Sequence, residues 1–130
     1  MIIQGGMGVG VSNWTLAHAV AQCGQLGVVS GTAMDAILVR RLGDGDPGGH
    51  YRRALEAFPI PGVAKEILDR FFRPEGRGEA EGYKPLAMHK RNLDLRQFKT
   101  IVAANFAEVW LAKEGHDGQV GVNLLTKIQI

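Results

Sequence analysis

The sequence predicts an α/β fold built on parallel strands, and three observations carry that expectation. Residues 1–32 read as strand, glycine loop, helix and strand in immediate succession. Their connections are tight, and a short helical crossover of this kind returns the chain parallel to where it started. A helix followed by an apolar strand recurs at residues 95–125. Finally, none of the 15 Lys/Arg and 13 Asp/Glu residues falls within residues 1–34. The strands there are continuously apolar, as parallel strands covered on both faces tend to be, and the opening reads as the inside of something.

Each element has its own justification. Residues 1–4, MIIQ, form a short strand that needs neighbours to be stable, and GGMGVG at 5–10 is a loop. Ser12 is a good N-cap for a helix over Asn13–Cys23. Leu16, Val20 and Cys23 share one face, Ala17, Ala19 and Ala21 keep the helix slim, and Gly24 ends it. LGVVSGT at 26–32 is a second strand centred on Val28 and Val29 and closed by Ser30-Gly31-Thr32. Residues 33–93 then change character: helices over Asp35–Leu42, His50–Phe58 and Gly62–Phe72, with GDGDPGG and EGRGEAEGYKP as loops. Asp94 caps a long helix, Leu95–Lys113, in which Leu95, Phe98, Val102, Asn105, Phe106 and Val109 form an apolar stripe expected to pack in the core. Gly115 ends it, QVGVNLL at 119–125 is a third strand, and 126–130 opens a further crossover.

Composition excludes several function classes. Net charge is +2, and the basic pairs at 40–41, 52–53 and 90–91 sit among acids, not in the single stripe of a nucleic-acid binder. The one cysteine, Cys23, permits no internal disulfide and no cysteine-based zinc site; it is expected to be a small buried hydrophobe. No basic, apolar leader opens the chain and no apolar run is long enough to span a bilayer. Asn13-Trp14-Thr15 matches a glycosylation sequon by chance, and the expected compartment is the cytoplasm.

The chemistry lies in the glycine loop. Glycine after a strand lets a flat or phosphorylated ligand approach the main chain. Gly6, Gly8 and Gly10 give GxGxG, not the full dinucleotide pattern, and the acid that would bind a ribose is missing: strand two ends in Ser30-Gly31-Thr32 and Asp35 comes after a turn. The lysine of a Walker loop is absent. A flat ring lying across strand ends fits better, with backbone N–H groups at its polar edge. Three strand ends are available, at Gly5–Gly8, Ser30–Thr32 and Asn123, and they converge if the strands are parallel neighbours. Asn123 suits hydrogen bonds to a ring or phosphate, and equally the capping of a loop.

The stretch IIQGGMGVGVSNWTLAHAVAQCGQLGVVSGT, with Gly121-Val122-Asn123-Leu124 near the other end, resembles the nitronate monooxygenase (2-nitropropane dioxygenase) family. That family is related to the flavin-dependent enoyl reductases of polyketide and polyunsaturated fatty-acid synthases. The likeness lies in the glycine-methionine loop, the LAxAVAxxG helix (Leu16–Gly24), the LGxxS strand (Leu26–Ser30) and GVNL.

The resemblance implies an α/β fold that is the N-terminal part of a TIM (β/α)8 barrel, here with a mostly helical insertion at about 33–93. It implies FMN as cofactor, with Gly6, Met7 and Gly8 beside the flavin ring, Ser30 and Gly31 under it, and Asn123 reaching it from strand three. The implied activity is oxidation of alkyl nitronates with molecular oxygen; the alternative is reduction of enoyl thioesters. A non-catalytic assembly module of the same fold, or a nucleotide-binding α/β enzyme, are readings from other classes. The implied partners are a small-molecule substrate and, for a monooxygenase, oxygen, with self-association into a homo-oligomer compatible with this. No catalytic residue is expected in this stretch, because the family's histidine base and phosphate loops come later in the barrel. His18 is expected on a helix surface or in packing, and His50, His89 and His116 match no family position. The insertion marks a departure from the small monooxygenases. The chain is expected to be the front of a larger protein, binding FMN poorly by itself.

Overall fold

The computed structural model describes residues 1–86 and 94–124, so the expected crossover at 126–130 and His89 lie outside the described residues. The chain divides into two compact units. The first comprises Met1–Met34 and the segment that begins at Glu108; the second is Asp35–Ala107.

In the first unit, α1 (Trp14–Gln22) leads to β1 (Gly27–Ser30), and β2 (Val120–Asn123) follows the last turn of α5 (Leu95–Lys113). β1 and β2 pair in parallel, with Gly27 opposite Val120 and Ser30 opposite Asn123. The opening residues meet the other edge of β1 through a parallel bridge, Ile3 to Leu26. The mixed helical and parallel-sheet character follows the sequence expectation. The first strand is shorter than expected, a bridge in place of four paired residues. Residues 1–3 and 5–11 are exposed where the apolar composition suggested an interior, because β1 pairs with one of their edges only.

Helix α1 is capped by Asn13, not Ser12: the Leu16 N–H donates to Asn13 Oδ1 at 3.1 Å. Trp14 N–H donates to Glu108 Oε2 at 2.8 Å, which places a buried carboxylate at the helix N-terminus, where the dipole favours it. Gly24, at φ +72°, ends the helix as expected. The core face is Ala17 and Ala21, while Leu16 and Val20 are half-buried and Cys23, past the last helical turn, is exposed. The reason is distance. A Cβ on Gly27 would lie 2.1 Å from the Ala17 carbonyl oxygen, and one on Gly118 would lie 2.1 Å from that of Ala21. The helix backbone rests on the strand segments, and only alanine fits between. Ala17, Val29 and Ala112 form the core there, with Trp14 and Val120 at its margin.

His116 ties the end of α5 to β2. Its Nδ1 accepts from Gly118 N–H at 3.0 Å, so Nε2 carries the hydrogen and donates to the Ala112 carbonyl at 2.7 Å. The His18 ring meets it edge-on, centroids 4.8 Å apart, and His18 Nε2 lies 2.9 Å from the Glu114 carbonyl. Both histidines are structural.

The second unit is helical: α2 (Met34–Gly43), α3 (His50–Glu56), α4 (Pro61–Phe71) and α5 as far as Ala107. Leu38, Leu42, Leu55, Ile67 and Phe71 are buried. The GDGDPGG loop is organised by Asp46, buried and left-handed at φ +48°. Its carboxylate accepts from Tyr51 N–H at 3.1 Å and Arg52 N–H at 2.9 Å, satisfying the first turn of α3. Pro61 opens α4, where its missing N–H costs nothing. Tyr83 stacks under the Arg77 guanidinium, 4.2 Å from ring centre to Cζ, and donates to Asp44. Tyr83 and then Asp44 hold the Arg77 pKa above its ordinary value.

Of the stripe expected to face the core along α5, Asn105, Phe106 and Val109 are half-buried, with the Phe106 ring edge-on to buried Phe58 at 5.1 Å, and the rest does not face it. Leu95, Phe98 and Val102 are exposed, and the buried face runs through Gln97, Thr100, Ala103, Ala104 and Ala107. Both faces keep helical spacing. The face of small residues is the buried one, so the core on this side is built by close approach, not by bulk.

Candidate functional site

The site grows from an interrupted strand. Leu26 N–H donates to the Ile2 carbonyl and Gln4 N–H to the Leu26 carbonyl, each at 3.0 Å. A parallel ladder would continue with the Gln4 carbonyl and the Gly6 N–H. The Gln4 side chain supplies that next rung instead: Oε1 accepts from Val28 N–H at 3.0 Å and Nε2 donates to the Val28 carbonyl at 3.1 Å. The main chain of Gly5 and Gly6 is thereby released from the sheet. No partner for the Gly6 N–H occurs among the described residues.

Ser12 holds the released loop. It is fully buried, and its hydroxyl accepts from Met7 N–H at 2.8 Å and from Gln4 Nε2 at 3.0 Å while donating to the Gly5 carbonyl at 3.3 Å. Its own carbonyl accepts from Ser30 N–H at 2.9 Å, which ties the loop to the end of β1.

The result is a cleft of about 160 Å³ within the first unit, at the C-terminal ends of the parallel segments. Gly6, Met7, Gly8 and Val9 form its loop side, Ser30 and Thr32 line it from the end of β1, and Asn123 from the end of β2. Five of the six residues singled out from the sequence therefore come together. The sixth, Gly31, is buried outside the lining and donates its N–H to the Asn123 carbonyl at 2.8 Å.

The two loop glycines differ in kind. A Cβ on Gly6 would lie 2.7 Å from Asn123 Cβ, so Gly6 is required by its protein neighbour. A Cβ on Gly8 would meet nothing within 4 Å. Gly8 leaves an open place beside the cleft that the described protein does not fill. Sequence reasoning missed Gln4 and Ser12, and it placed Thr32 at a converging strand end without giving it a role. Gln4 was hidden because its side chain does the work of a backbone amide, and Ser12 because it looked like a helix cap.

Among the described residues no charged or titratable side chain lines the cleft. Among the described residues no group of three metal-ligating side chains occurs, and none of the helices is long and apolar enough to cross a membrane. His50 starts α3 in the second unit and is not a lining residue; its Nδ1 lies 3.3 Å from an Arg53 nitrogen. The donor set of the described residues, main-chain N–H groups, two hydroxyls and a carboxamide with no cation, fits the uncharged polar edge of a flat ring and offers a phosphate no side-chain charge. Comparison of the chain with protein-family models, with curated proteins and with solved structures found no match.

Proposed function

We propose that this chain supplies the first three strand ends of a (β/α)8 barrel in an FMN-dependent oxidoreductase that oxidises alkyl nitronates with molecular oxygen. The observation that carries the reading is the convergence of Gly6, Met7, Gly8, Ser30 and Asn123 on one uncharged cleft at the ends of parallel strands. The segment order, opening bridge, β1, β2, follows the chain, as it must in a barrel.

In this reading Met7 and the open place at Gly8 receive the ring, and the Gly6 N–H and Asn123 carboxamide meet its polar edge. FMN supplies the two-electron chemistry and the reaction with oxygen. The cleft residues bind and orient it and keep charge away. The described cleft residues carry no acid or base, and a nitronate, already the deprotonated form of its nitroalkane, requires none for proton abstraction.

The test is spectroscopic. Full-length protein supplied with excess FMN and then desalted retains a flavin visible spectrum, and anaerobic addition of an alkyl nitronate bleaches it, with recovery on admitting air. Bleaching by a reduced nicotinamide and reoxidation by an enoyl thioester, with no response to nitronate, would assign the alternative reductase activity. A protein that stays colourless refutes both.

A further inference from the structure

We propose that Thr32 is a ligand-contacting residue, its hydroxyl donating a hydrogen bond to an acceptor atom on the edge of the bound ring. This deepens the flavin reading and rests on it. Thr32 lines the cleft, yet its Oγ1 is shielded from solvent and has no hydrogen-bond partner among the described residues. Buried hydroxyls are almost always partnered, and one that is not carries the cost of its lost hydration. Its neighbours around the cleft do not relieve it: Ser12 and Gln4 bond each other and the loop backbone, and the Ser30 N–H is taken by the Ser12 carbonyl.

No bond holds the hydroxyl in its present rotamer. A turn about the Cα–Cβ bond exchanges it with the methyl group at no loss of hydrogen bonding. No cation occurs among the described residues that line the cleft, and the acceptor we assign to the hydroxyl is an uncharged ring atom. Serine keeps that donor, whereas valine keeps the shape and removes it.

The experiment measures FMN affinity of the full-length protein by quenching of flavin fluorescence for wild type, Thr32→Val and Thr32→Ser, together with the denaturant midpoint of each without flavin. Thr32→Val is expected to weaken FMN binding about tenfold, equivalent to about 1.4 kcal/mol. Its midpoint should equal or exceed that of wild type, because an unpartnered hydroxyl has gone. Thr32→Ser should bind within about threefold of wild type. If wild type binds FMN and Thr32→Val binds it equally, the assignment of Thr32 is overturned and the flavin reading stands. If Thr32→Ser loses as much as Thr32→Val, the residue acts by shape and the hydrogen bond is refuted. If wild type binds no FMN, the flavin reading fails and this assignment with it.

Discussion

Replacing Gly27 by alanine tests the close packing of α1 on the sheet. The new Cβ would lie 2.1, 2.8 and 2.9 Å from the carbonyl oxygen, carbonyl carbon and Cα of Ala17. All three are main-chain atoms in the middle of a helix, so no side chain can swing aside. The oxygen contact must open from 2.1 Å to at least 3.0 Å, and this moves α1 bodily from β1. Overpacking costs roughly 1–3 kcal/mol, and the rigid obstacle puts this case at about 3 kcal/mol or above. In a chain of this size that lowers the melting temperature by about 10 °C. Guanidinium unfolding followed by far-UV circular dichroism measures it, with the shift appearing in the midpoint and not in the slope. Gly62→Ala is the contrast. Gly62 lies in the first turn of α4 with nothing within 4 Å of its Cβ position, and the change should stabilise by about 0.5–1 kcal/mol. A Gly27→Ala protein as stable as wild type would refute the close-approach argument for α1.

Three further outcomes follow from the same geometry. Gly8→Ala should leave the unfolding midpoint within about 0.5 kcal/mol of wild type, since it meets no protein atom, yet weaken FMN uptake in equilibrium dialysis. Gln4→Leu strips Val28 of partners for both its N–H and its carbonyl and should cost about 2–3 kcal/mol, with faster hydrogen exchange at the Val28 amide. His116→Ala breaks the bonds to Ala112 and Gly118 and should cost about 1–2 kcal/mol in the same unfolding assay.

Local signals carried the elements of the fold into the sequence. Gly24 after an alanine-rich run and the VV pair of β1 each specify their element by backbone preference or burial and lie where expected, while Pro61, expected in a linker before Gly62, is the first residue of α4. The parallel bridge between the opening residues and Leu26 was legible from the shortness of the first crossover. Faces were less legible. The large residues of α5 suggested the core at Leu95, Phe98 and Val102, but the buried face is alanine-rich, because what decides burial there is how near another backbone can come. The same reason put Ala17 in the core and left Cys23 outside. At the cleft, glycines and Asn123 stood out because residue type alone restricts their use. Gln4 and Ser12 did not, and Thr32 was legible only as part of a strand end, since a glutamine that completes a ladder and a threonine without a partner are defined by neighbours distant in sequence.

The glutamine amide at the edge of β1 has a consequence for how the chain finds its alignment. A pairing held by two main-chain bonds has little intrinsic resistance to slippage. Sliding by one position would present Ile3 or Gly5 to Val28, and neither carries an amide to complete the contact. The opening segment thus brings its own key, and a mispaired arrangement is penalised at once by an unanswered peptide group. A short, weak edge can in this way be seated uniquely without being lengthened, which leaves the glycines beyond it free of the sheet.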